Sequence, residues 1–223
     1  MTLNEVPTTK NEIMRFLCDK CSLPEIVSKN YIDTISSRIG HHGLSHVIFM
    51  LRLLKSVPPE LIGNLGYLIL AILFHDSVYV PGSKTNEIDS FKYFVKRFDF
   101  KEDFYKGEYG YVKMLILESV NPAFDTANTS MEKDILLLHD LDYAVLGADW
   151  LNYLEYLMGI WVEYGRSFGM KQYIEGRLKF LDSILAKDSR PFYLEWFRNK
   201  FEGIAFDNVE KEIAILEDEV IIS

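Results

Sequence analysis

Histidine is sparse in this chain and unevenly spread. The five residues sit at positions 41, 42 and 46, then 75, then 139, and none follows. Two of them have carboxylate neighbours, in Phe74-His75-Asp76 and in His139-Asp140-Leu141-Asp142. Burying an imidazole and a carboxylate beside Leu73 and Phe74 is unfavourable unless a partner satisfies both, and a divalent cation does so. His46, His75, Asp76 and one of Asp140 or Asp142 would form a mixed nitrogen and oxygen set. Such a set suits an octahedral Mn, Fe, Co, Ni, Mg or Zn ion with positions left open for water. Open positions mark catalytic rather than structural metal sites. An ion of this kind lowers the pKa of bound water and polarises a phosphoryl oxygen. His42, one turn from His46, would lie beside the metal without ligating it, placed to protonate a leaving oxygen or hold a phosphate.

The elements that must position these residues read as helices. Val47, Ile48, Leu51 and Leu54 recur at helical spacing after His46, so His42 and His46 share a face at i and i+4. Pro58-Pro59 ends that helix, and Leu61 to Asp76 reads as a second, almost wholly apolar one running antiparallel to it. Asp140 and Asp142 arrive on a later helix opened by a capping box, Thr129-Ser130-Met131-Glu132. Two residues apart on a helix do not share a face, so only one of the two aspartates can join the set.

The remaining segments follow the same period. A short helix spans about Asn11 to Cys18. A second capping box, Ser22-Leu23-Pro24-Glu25, opens a helix that Gly40 ends. Ser77 to Thr85 reads as a loop, and a helix then carries Ile88, Phe91, Phe94 and Val95. Asp99 to Gly107 reads as a polar turn region, followed by a helix from Tyr109 to Val120. Long amphipathic helices are expected over Asp149–Ser167 and Lys171–Ala186, and a last one starting at Ser189-Arg190-Pro191. Val220-Ile221-Ile222 has strand composition but no visible partner strand. The expected architecture is all-α, a single domain over residues 1–223.

Composition fits a well-cored globular chain: 223 residues, 48% apolar and 14% aromatic. A net charge of -9 argues against general nucleic-acid or anionic-membrane binding. The longest apolar run, Leu65 to Phe74, is half what a bilayer span of ~20 residues needs. Met1-Thr2-Leu3-Asn4-Glu5 lacks a basic and apolar leader. Cys18 and Cys21 have no second pair to make a zinc ribbon and read as two half-buried thiols, so the expected location is the cytoplasm.

The order His, then His-Asp, then a distant Asp on a helical background resembles the HD superfamily of metal-dependent phosphohydrolases. The sharper likeness is to the predicted HD phosphohydrolases whose first motif has the form Tyr-His-Asn-x-x-His. That motif maps to His42 and His46. Phe74-His75-Asp76 with Tyr79 matches the second motif, and Asn86-Glu87-Ile88-Asp89-Ser90 resembles its Asn-Glu-x-x-Ser segment. Leu138 to Gly147 resembles a Leu-Asp-x-Asp-Leu-x-x-Leu-Gly stretch. Tyr153, Tyr156, Ile160, Glu163 and Tyr164, then Gly176-Arg177, resemble later patterns.

The resemblance implies an HD-like helical bundle and a divalent metal held by His46, His75, Asp76 and, as the first aspartate of its stretch, Asp140. It implies His42 on the leaving-group side and a small phosphorylated substrate, nucleotides among the candidates. Glu87 is then a candidate catalytic residue, holding a water or orienting His75, or else simply a helix N-terminal carboxylate. Glu163 and Arg177 read as a structural ion pair. The chain has His41 and Gly43 where the pattern has Tyr and Asn, and Trp161 where it has Arg. These differences motivate an alternative, an HD-type module that binds a nucleotide or protein with little or no turnover.

Overall fold

A computed structural model describes residues 1–98, 108–187 and 189–222; the polar turn expected at 99–107 lies outside the described residues. Among those described there is no strand, and the all-α expectation holds. The chain groups into two compact units, one of residues 1–38 and 42–141, the other of 39–41 and 142–223.

The first unit contains α1 (Lys10–Arg15), α2 (Glu25–Ser36), α3 (Leu44–Leu54), α4 (Leu65–Phe74), α5 (Asn86–Phe98), α6 (Glu108–Glu118) and α7 (Ser130–Tyr143) up to Leu141. Its centre is α4. Every residue from Leu68 to Phe74 is buried, so this helix needs no polar face and has none. α4 begins at Leu65 rather than Leu61, because Asn64 caps it: the side-chain oxygen accepts from the Tyr67 N–H at 3.1 Å. The residues before it form a single tight turn, Pro59–Leu61.

Asp134, fully buried on α7, fixes where α4 starts. Its carboxylate accepts from the Gly63 N–H at 2.7 Å, the Asn64 N–H at 2.6 Å and the Tyr111 hydroxyl at 2.8 Å. Gly63 is required here, since a Cβ would stand 2.0 Å from the Ser130 carbonyl oxygen. The predicted cap of α7 is present: the Glu132 N–H donates to Thr129 Oγ1 at 3.1 Å, and the Glu132 carboxylate accepts from the Thr129 N–H at 2.9 Å. The predicted box at Ser22 does not form. Ser22 lies at φ 55°, and Pro24 flanks the first helical residue, Glu25, with no side-chain cap.

The second unit contains α8 (Trp150–Phe168), α9 (Met170–Leu185), the single turn α10 (Glu195–Phe197) and α11 (Gly203–Ile222), the last two joined by a wide turn over Arg198–Glu202. Residues 220–222 are thus the end of a helix and not a strand. The last helical segment begins at Glu195 rather than at Ser189. Gly169, at φ 79°, both ends α8 and precedes α9. Arg177 is buried and paired, although its partner is Glu212 on α11 and not Glu163. Arg177 Nε donates to Glu212 Oε1 at 2.7 Å, Nη2 to Oε2 at 3.0 Å, and Nη1 to the Tyr156 hydroxyl at 2.9 Å. Of the tyrosines at helical spacing on α8, Tyr153 and Tyr156 are buried in the core and Tyr164 is half-buried.

Candidate metal centre

A helix ends with four carbonyls that have no intrahelical donor. In α4 all four find one. The His75 N–H donates to Ala71 O at 2.8 Å and the Ser77 N–H to Phe74 O at 3.1 Å. The Tyr31 hydroxyl donates to Leu73 O, while its ring stacks on Phe74 with centroids 4.5 Å apart. The fourth donor is His75 itself, whose Nδ1 lies 2.9 Å from Ile72 O. The imidazole therefore caps the helix that delivers it. The Arg38 guanidinium continues the series, donating to the carbonyls of Asp76, Ser77 and His42 and so tying the two histidine-bearing segments together.

A carbonyl oxygen only accepts, so the contact with Ile72 places a proton on Nδ1 of His75. Nε2 is then turned to Asp76, whose Oδ2 is 3.0 Å away. Two lone pairs at that distance repel unless a proton or a metal cation lies between them. Burial would raise the Asp76 carboxyl, but positive charge on His75 and its hydrogen bond, with His42 and His46 behind them, hold it well below the usual carboxylate range. The pair is built to receive positive charge.

His46, on the buried face of α3, meets His75 with ring centroids 5.5 Å apart. Asp142 stands in the last turn of α7. One ligand atom from each of His46, His75 and Asp142 lies within 4.8 Å of the other two. Ligands held at about 2.1 Å span about 3.0 Å as octahedral neighbours and about 4.2 Å across the ion. The His75–Asp76 spacing is that of neighbouring ligands, and the 4.8 Å limit on the three-residue group exceeds the span across one ion by about 0.6 Å. By donor type, and with a small closing movement, these residues could hold a divalent ion.

Of the two aspartates, Asp142, half-buried, is in this cluster; Asp140 is fully buried on the same helix and, like Asp76, is not one of the three. Consecutive residues on α7 are rotated by about 100°, so the two point to different sides. His42 is near the cluster, 6.3 Å from His46 between ring centroids, but not by sharing a helix face. α3 begins at Leu44, and His42 precedes its flanking residue Gly43. Its ring lies flat on Tyr79, with centroids 3.5 Å apart and planes 15° from parallel.

Glu87 is half-buried on the first turn of α5 and lines a surface depression with Lys84, Ile88, Leu117, Val120 and Asn121; it is not in the three-residue cluster. His41 packs edge-on against Tyr156 with centroids 4.7 Å apart. His139 is buried, with Nδ1 2.7 Å from Ser119 O.

Tyr31, Arg38 and Asp134 position the centre and were not singled out from sequence. Tyr31 and Arg38 lie in an earlier helix and the turn after it, and no local spacing links them to the end of α4. Asp134 offered a signal: an acid inside a helix that is buried on every side from Asp134 to Leu141. Comparison with protein-family models, with curated proteins and with solved structures finds no match to this chain.

Proposed function

We propose that the chain is a metal-dependent phosphohydrolase of HD type acting on a small phosphate ester, with nucleotides among the candidate substrates. The observation that carries this is the convergence of His46, His75 and Asp142 on one point, with Asp76 against His75 Nε2. These four would hold the ion. A divalent cation there supplies Lewis acidity toward a phosphoryl oxygen and lowers the pKa of a water.

The protein's own groups do the rest. The Ile72 carbonyl fixes the His75 tautomer so that Nε2 faces the cluster. Arg38 is engaged with three carbonyls, so it sets the spacing of the histidine segments and leaves phosphate recognition to other groups. His42, at the edge of the cluster, would donate a proton to the leaving oxygen. No helix among the described residues is long and apolar enough to cross a membrane.

The test is elemental analysis of the purified protein beside a His75→Ala variant, with phosphate release measured on a panel of mono- and diesters. Metal in the parent, its loss from the variant, and turnover with Mn, Co or Ni are expected. Absence of both metal and turnover would overturn the proposal. A bound nucleotide with no turnover would select the binding-module alternative.

A further inference from the structure

Val78, Tyr79 and Val80 follow the His75-Asp76 pair, and α5 holds them in an unusual way. Ser90 Oγ accepts from the Val78 N–H and donates to the Val78 carbonyl, both at 3.0 Å. Asn86 does the same for Val80: Oδ1 accepts from its N–H at 2.9 Å, and Nδ2 donates to its carbonyl at 3.1 Å. In an antiparallel ladder two facing residues exchange both peptide bonds in this manner. Here two side chains of a helix take the place of the partner strand.

The spacing explains why this works. Residues i and i+4 of a helix are separated by about 6 Å along its axis, close to the roughly 6.6 Å between alternate residues of an extended segment. Asn86 and Ser90 are both buried, at 6% and 0% exposure, so their bonds are shielded from water. The residue between the two held positions is Tyr79, and its ring is the one that lies on His42.

We propose that Asn86 and Ser90 form a clasp whose task is to present Tyr79 to His42, making Tyr79 the positioning residue for that imidazole. The clasp sets the backbone at 78 and 80, the backbone aims the phenol ring, and the ring fixes the plane of His42 at the edge of the cluster. What His42 is oriented for rests on the phosphohydrolase proposal; the clasp itself does not. It assigns a role to Asn86 and Ser90 and leaves Glu87, between them, outside that role.

Imidazole protons held over the face of Tyr79 lie in its shielding region, so the His42 signals should be displaced upfield in carbon–proton correlation spectra of the histidine-labelled full chain. A His42→Gln variant assigns them. Tyr79→Leu should return the His42 signals downfield, and Tyr79→Phe should leave them in place, because the ring and not the hydroxyl is responsible. Asn86→Asp, which keeps the shape but removes the donor, and Ser90→Ala should each move the signals part of the way. The double variant should match Tyr79→Leu.

His42 signals unmoved by Tyr79→Leu would overturn the proposal without any need for the double variant to fold. A folded double variant with the parent's His42 signals would also overturn it. Nickel titration of the parent separates the two proposals. If no metal binds while the His42 signals follow the expected series, the clasp is supported and the metal reading falls.

Discussion

Exchanging a carboxylate for an amide at Asp142 and at Asp140, one at a time, should give crossed results. Asp142 is half-buried and offers a ligand atom to the cluster, whereas Asp140 is fully buried and is not in it. Asp142→Asn keeps the shape but replaces an anionic ligand with a neutral one, so its main effect should be on metal uptake. A ligand present at 100 times its dissociation constant stabilises the folded state by about 2.7 kcal/mol. At roughly 2–4 °C per kcal/mol for a chain of this size, Ni or Mn should raise the melting temperature of the parent by about 5–11 °C. Asp142→Asn should melt near the metal-free parent and show little of that rise.

Asp140→Asn should do the reverse. Placing an amide in a fully enclosed acid's site costs about 1–3 kcal/mol through mismatched hydrogen bonds. The metal-free protein should melt roughly 2–12 °C lower, yet keep the metal-induced rise. Melting curves of the three proteins with and without metal read both effects at once. If Asp140→Asn abolishes the metal response and Asp142→Asn retains it, the placement of the last turn of α7 is refuted.

Tyr31→Phe leaves the buried Leu73 carbonyl without its donor and should cost about 1–3 kcal/mol in urea unfolding, with the Phe74 stack retained. An unchanged midpoint would mean that the hydroxyl does not cap α4. Burial pushes the Asp134 carboxyl up to about 6, against the opposing bonds from Gly63, Tyr111 and Asn64. The folded state then binds a proton that the unfolded state has released, so this group's contribution to stability is full below about pH 4 and is lost as pH rises through about 6. Relative to Asp134→Asn, whose amide does not titrate, the parent should lose about 3 kcal/mol between pH 4 and 7. A pH-independent gap would show that the three donors fully offset burial. Arg177→Met strands the Glu212 carboxylate in the core and should cost about 3–5 kcal/mol, much of it regained in the double variant with Glu212→Leu.

The helices were legible where apolar periodicity and capping agree, as at α7 with Thr129 and Glu132. They are obscured where two local signals compete. Ser22 has the spacing of a capping box, but the backbone takes a left-handed turn there and Pro24 becomes the flanking residue. Asn64 gives a weak signal as a cap because the apolar run before it, from Leu61, continues the pattern. At the other end, Ser189-Arg190-Pro191 resembles a helix start, yet the chain stays irregular through Leu194 while Phe192 is buried beside Phe197. The His and Asp types at the centre were readable from their grouping. The choice of aspartate was not, because α7 is buried from Asp134 to Leu141 and a helix enclosed all round gives no apolar face from which to take its phase.

The bond between Asp134 and the start of α4 has a consequence for what the sequence can tolerate. From that shared level α4 runs to His75 and α7 runs to Asp142, in the same direction. Asn64 and His75 are eleven residues apart and Asp134 and Asp142 eight, which are about 16 Å and 12 Å of helix. The two helices are set-length spacers between a fixed origin and the place where their last side chains must meet. Apolar residues along α4 can be exchanged for others of similar volume at modest cost. A single residue inserted there would turn His75 by about 100° and carry it 1.5 Å further, away from both His46 and Asp142. Substitution is thus permitted and change of length is not.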